Sequence, residues 1–143
     1  MILLSACLAG LCCRYDGRGT ECPEAADLLR RGAVPLCPEQ LGGMTTPRPP
    51  CEIQGGDGWD VLRGDAKICD ENGHDWSAEF LRGAQEVLVF CRRYGVTTAW
   101  LKSNSPSCGC GAIYDGSFSG VLRPGDGVTT ALLKKNGVVM RQL

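Results

Sequence analysis

Apolar and polar positions fall in blocks along this chain, and the blocks differ in period. Residues 2–7, ILLSAC, form an apolar run, the pattern of a strand buried on both faces. After a loop, Pro23 opens a helix with Leu28 and Leu29 facing inward, and Gly32 ends it. Residues 33–37, AVPLC, read as a second short strand, and Pro35 puts it near a sheet edge because proline has no N–H for a neighbour. Residues 38–56 are so rich in Pro and Gly that they read as loop, and WDVLRG with AKICD read as a small hairpin around Gly64 and Asp65. The clearest helix covers about 76–94: Trp76, Phe80, Ala84, Val87, Leu88 and Cys91 form one stripe, Asp75 is the expected N-cap and Gly95 the stop. Residues 96–102, VTTAWLK, are a third strand. A last helix over about 127–135 follows Asp126, and VVMRQL closes the chain as a fourth strand.

Strands alternating with helices predict a parallel sheet covered on both faces. The expected fold is a single α/β domain over residues 1–143, a doubly wound, Rossmann- or flavodoxin-like three-layer sandwich with a mostly parallel sheet. A length of 143 residues suits one core, and 43% hydrophobic with 22% charged residues suits a globular chain. Fifteen basic and sixteen acidic residues leave a net charge of −1, which gives no electrostatic footprint for nucleic acid. No apolar run approaches the length of a membrane span. The apolar start has no basic segment before it and reads as a buried strand rather than a signal peptide.

The ten cysteines change the picture. A disulfide framework is expected in smaller, secreted, loop-rich chains, so a reduced, cytoplasmic protein is the expectation, with thiols divided between core filling and metal or sulfur chemistry. In an open parallel sheet ligands bind beyond the carboxyl ends of the strands. Cys7 ends the first predicted strand, Cys37 ends the second, and Cys108 and Cys110 lie in the loop leaving the third. Three strands therefore deliver thiols to one edge. Converging thiolates suit zinc or an iron–sulfur cluster, and a cubane held by only three cysteines keeps one iron open for a substrate. Cys91 and Cys69 read as packing. Cys12, Cys13, Cys22 and Cys51 read as non-ligands, although Cys13 is close enough to Cys7 to compete.

Glu39, two residues past Cys37, could face the same edge as a general acid or base, but spacing alone fits an exposed loop glutamate as well. Ser103, Ser105 and Ser107 bring hydroxyls near Cys108, in a composition that also suits turns. Arg48, stiffened by Pro47, Pro49 and Pro50, is a candidate for an anionic group of a substrate. Asp16, in the turn RYDG, is the second substrate-binding candidate. His74 is the one histidine and reads as surface. Trp59, Trp76 and Trp100 read as core.

Four motifs in order, SACLAGLCCRYDG, LCPEQLGGMTTPRPPCEI, a helix containing FLRGAQ, and LKSNSPSCG, resemble the thiouracil desulfidases, a bacterial and archaeal family formerly a domain of unknown function. The resemblance runs from Ile2 to the C-terminus. It implies a 4Fe-4S cluster on Cys7, Cys37 and Cys108, with the fourth iron binding the substrate sulfur, and a non-redox conversion of thiouracil and water to uracil and sulfide. It further implies Glu39 as acid/base and a catalytic serine, Ser105 ahead of Ser103. The expected partner is a small molecule, thiouracil or a thiolated nucleoside or nucleotide. The competing readings are a structural zinc or iron–sulfur interaction module without catalysis, and a thiol-transfer protein using Cys108 with Cys110 or Cys12 with Cys13.

Overall fold

A computed structural model of the chain describes residues 1–20 and 22–143. In chain order the elements are β1 (Ile2–Ser5), a 3₁₀ turn (Ala6–Ala9), α1 (Pro23–Arg30), β2 (Val34–Leu36), α2 (Pro38–Leu41), β3 (Cys51–Gln54), α3 (Gly58–Arg63), β4 (Lys67–Asp70), α4 (Ser77–Tyr94), β5 (Thr98–Trp100), β6 (Ala112–Tyr114), β7 (Leu122–Pro124), α5 (Val128–Lys135) and β8 (Val139–Arg141). The main sheet has the order β2-β1-β5-β8, and every pairing in it is parallel. The expected three-layer α/β sandwich is therefore the observed one. Its strand order turns back between β1 and β5, which makes the carboxyl ends of those strands the switch point where such sheets bind ligands.

The apolar run of β1 is explained by its central place. Consecutive strand residues point to opposite faces. Leu3 joins Val87, Leu88 and Cys91 of α4 and Leu133 of α5, whereas Leu4 joins Ala25 and Leu28 of α1. Helix α4 buries Phe80, Gly83, Ala84, Val87, Leu88 and Cys91 along the predicted stripe. The N-cap residue is Trp76 rather than the expected Asp75, whose carboxylate accepts the Ser77 N–H at 2.8 Å from one position earlier, and Gly95 stops the helix in the left-handed region at φ +69°.

The polar, glycine-rich middle of the chain departs from expectation. Residues 59–64 are not a hairpin strand but most of α3. A capping box decides this: the Asp57 carboxylate accepts the N–H groups of Trp59 and Asp60, and the Asp60 carboxylate accepts the N–H of Asp57. The partner of β4 is β3, drawn from the segment expected to be loop, with Cys51 opposite Asp70 in an antiparallel pair. This pair, α3 and β6 pack Ile53, Val61, Ile68 and Ile113 against Phe80 and Ala84 of α4. The antiparallel hairpin β6–β7 and the four-residue α2 were also not anticipated. Strand ends are shorter than the apolar runs, so Cys7 lies in the 3₁₀ turn just past β1 rather than within the strand.

Candidate functional site

A cavity of ≈ 390 Å³ opens at the carboxyl ends of β1, β2 and β5, and five cysteines line it: Cys7, Cys13, Cys37, Cys51 and Cys108. All ten cysteines are free thiols. The three cysteines predicted from strand ends thus meet at one site. Cys110, one residue removed from the third, is not in the wall. Its backbone carbonyl accepts the Gln142 side-chain amide instead.

Two of these thiols, Cys37 and Cys108, are placed by rigid neighbours. Cys37 follows β2 and is the N-cap residue of α2, its Sγ lying 3.9 Å from the carbonyl oxygen of Cys13. Helix α2 lies directly on α4 because two glycines let backbones touch: a Cβ on Gly83 would sit 1.8 Å from the Pro38 carbonyl oxygen, and one on Gly42 would sit 2.0 Å from that of Glu79. The Cys108 loop is seated on the start of α5. The N–H groups of Gly127, Val128 and Thr129 donate to the carbonyls of Gly109, Pro106 and Ser107, at 2.7, 2.8 and 2.9 Å. The hydroxyl of Thr130 donates to the Cys108 carbonyl at 2.8 Å. The loop's carbonyls thereby occupy donors that a helix N-terminus leaves free.

Glu39, the second residue of α2, lines the cavity with its side chain 19% exposed. Arg48 is 2% exposed, and its Nε donates to Glu39 Oε1 at 3.4 Å. Its Nη1 donates to Thr45 O and Thr46 Oγ1, and its Nη2 to Cys13 O. Four of the five guanidinium N–H donors are thus bound within the protein, which makes Arg48 a clamp on Glu39 and on the Cys13 loop. Burial raises the Glu39 carboxyl above its usual range, and the Arg48 charge works against that rise.

Ser103 and Ser105 both line the cavity. Ser105 Oγ accepts the Cys108 N–H at 2.7 Å, which leaves its own proton free to donate. Ser107 is fully buried and shares a 2.8 Å hydrogen bond with the Thr129 hydroxyl, so it is structural. Asp16 is exposed, lies outside the cavity wall, and closes its own turn by accepting the Arg18 N–H at 3.0 Å; the structure does not bring it to the site. His74 is on the surface and Cys91 is in the core, as expected.

Lys102 and Ser5 are wall residues that the sequence reading did not single out, and Cys51, read as a non-ligand, is in the wall as well. Lys102 leaves β5 at the same edge as Cys108; its ammonium donates to the carbonyl and hydroxyl oxygens of Ser103, and its charge favours ionisation of Cys7. Ser5, a lone hydroxyl in the first apolar run, is buried, accepts the Lys102 N–H at 2.8 Å and favours the ionised form of Cys108. Cys51 begins β3, in the segment expected to be loop. The position of Lys102 just past an apolar strand was the one usable signal.

Burial holds the thiols of this wall toward their neutral form. Burial pushes the Cys108 thiol up to about 12, with the Glu39 charge adding to the rise. Burial, then Cys37 and Cys7, push Cys13 up to about 12. Metal binding would displace those protons, since the thiolate is the ligand. Among the described residues, no three His, Cys, Asp or Glu side chains gather closely enough to hold one metal ion. A soft sulfur donor set lining one cavity fits an iron–sulfur cluster.

A sequence model of a family described as 2-thiouracil desulfurase matches residues 2–142. The uncharacterized protein YbbK of Bacillus subtilis (strain 168) is 47% identical over 138 residues, 96% of this chain and 91% of that one. A solved structure of a [4Fe-4S]-dependent thiouracil desulfidase, TudS, superposes with a TM-score of 0.87 at 42% identity, covering 99% of this chain and 89% of that one.

Proposed function

The chain belongs to the 2-thiouracil desulfurase family, and from that premise we propose that it removes sulfur from thiouracil, or a thiouridine derivative, by a non-redox hydrolysis at a 4Fe-4S cluster. The observation behind this reading is the meeting of Cys7, Cys37 and Cys108 in one cavity with the half-buried carboxylate of Glu39. Those three cysteines would hold the cluster. When bound, it supplies an iron without a protein ligand, a Lewis acid for the thiocarbonyl sulfur.

The rest of the chemistry is assigned to this chain's side chains. Glu39 takes a proton from a water aimed at the ring carbon, and Arg48 fixes the carboxylate facing the cavity. The free proton of Ser105 donates to that water or to the ring's carbonyl oxygen. Ser103 anchors Lys102, whose positive charge offsets the negative charge that thiolates and sulfide bring to the cavity. The balance is one C–S bond replaced by one C–O bond, with water consumed and sulfide released. A closed four-thiol zinc module agrees less well with the similarity to a [4Fe-4S]-dependent thiouracil desulfidase.

Anaerobic protein reconstituted with iron and sulfide should convert thiouracil to equal amounts of uracil and sulfide without an electron donor. Iron, acid-labile sulfide and zinc are counted on the same sample. A stoichiometric demand for reductant, or protein that carries zinc and no iron, would refute the reading.

A further inference from the structure

The polar groups around the thiols account for the C–S bond, but they offer no surface to the face of a pyrimidine ring. Of the three aromatic residues in the wall, Tyr15 and Tyr114 are 42% and 37% exposed, whereas Phe118 is half-buried. Phe118 sits in the short loop joining β6 to β7 and has φ +56°, a conformation a bulky residue adopts only when its surroundings impose it.

Those surroundings are visible. Glu52, on β3, is 9% exposed, and its Oε1 accepts the N–H of Gly116 at 2.9 Å and of Phe118 at 3.2 Å. Gln54, two residues along the same strand, donates to the Gly116 carbonyl at 2.8 Å. A Cβ on Gly116 would lie 2.7 Å from the Ile53 carbonyl oxygen, so the loop is seated on β3 without a gap. A buried carboxylate is thus committed to two backbone amides of one exposed loop, and the product is a phenyl ring turned to the cavity rather than to the core.

Building on the desulfidase reading, we infer that Phe118 is the specificity-determining wall of the cavity, the face on which a flat heteroaromatic thione lies. Glu52 is the positioning residue that holds it there. The ring's face is remote from the bond that breaks, so stacking on Phe118 holds the ground state and the transition state alike. Its loss therefore raises KM and leaves kcat little changed.

The test uses reconstituted protein and its Phe118→Leu, Phe118→Tyr, Glu52→Leu and Glu52→Gln variants. It reads KM and kcat for 2-thiouracil, calorimetric affinity for uracil, and iron content. Phe118→Leu should raise KM and weaken uracil binding by roughly 5- to 150-fold, the range of one base stacked on one aromatic ring, with iron content unchanged. Phe118→Tyr restores most of the affinity. Glu52→Leu repeats the Phe118→Leu effect, while Glu52→Gln, which keeps an accepting oxygen, restores it. Unchanged KM and uracil affinity in Phe118→Leu would overturn the inference and leave the desulfidase reading standing. A fall in kcat and iron together would also overturn it, since it would make Phe118 a structural residue. Should the wild type fail to turn over thiouracil, the desulfidase reading falls, and uracil affinity still decides the wall: no binding, or binding indifferent to Phe118→Leu, refutes it.

Discussion

Glu39 sits where the proposed hydrolysis needs a base and where its charge is hard to keep, because burial raises its carboxyl while Arg48 resists the rise. Replacing Glu39 with Gln keeps the shape of α2 and the cysteines beside it. Thiouracil turnover should fall at least about 100-fold, the low end for loss of a general base, while iron per chain stays at the wild-type value. An unchanged rate would remove Glu39 from the chemistry. Arg48 invites a different measurement. With its side chain 2% exposed and hydrogen-bonded to Glu39, Thr45, Thr46 and Cys13, Arg48 has partners that Arg48→Met would strand: a carboxylate, two carbonyls and a hydroxyl. Urea unfolding should show a loss of about 3 kcal/mol or more, as for other buried pairs broken on one side. For the thiols, Cys108→Ser should lose the iron that Cys110→Ser retains, since only the first lines the cavity. The reverse result would exchange their roles.

At the scale of elements, the site depends on how closely α2 approaches α4. Gly83 leaves no room for a side chain: an added methyl would meet the Pro38 carbonyl oxygen at 1.8 Å, in backbone that cannot rotate away. Gly83→Ala should therefore lower stability by about 1–3 kcal/mol, the usual cost of overpacking. It should also reduce iron retention, because Cys37 and Glu39 travel with α2. Thermal unfolding and an iron count on one preparation test both halves. A stable variant with full iron would show that α2 can shift without consequence for the site. Three elements went unread in the sequence for a common reason. The capping box of α3 uses two aspartates, β3 lies among prolines and glycines, and the β6–β7 hairpin is too short for a period of two to stand out.

Across the whole molecule, Asp126 ties three parts together: its carboxylate accepts from the Gly111 N–H at 2.8 Å, the Trp59 indole at 3.0 Å and the Lys134 ammonium at 3.0 Å. Burial works against its charged form, but those donors outweigh it and hold its carboxyl below the ordinary 3.8. A depressed folded-state value means that the stabilisation is fully present above the unfolded value and is lost as pH falls through the folded one. Unfolding free energy should drop below about pH 4, and that acid slope should be shallower in Asp126→Asn; equal slopes would show that other carboxylates set it. What the sequence determined by itself was whatever short-range pattern can encode. The apolar run of β1 and the helical stripe of α4 specify a covered parallel sheet, and a cysteine at the end of each of two strands and just after a third specifies a thiol-lined edge. Only the tertiary structure decided which of two cysteines one residue apart turns inward. It also decided that Cys13, Cys51, Ser5 and Lys102 share the same wall, that Asp16 does not, and that Arg48 is committed to the protein. The physical reason is range: periodicity is a property of neighbours along the chain, whereas a cavity wall is assembled by backbone contacts such as Gly83 on Pro38 and Gly127 on Ser107, between residues far apart in sequence.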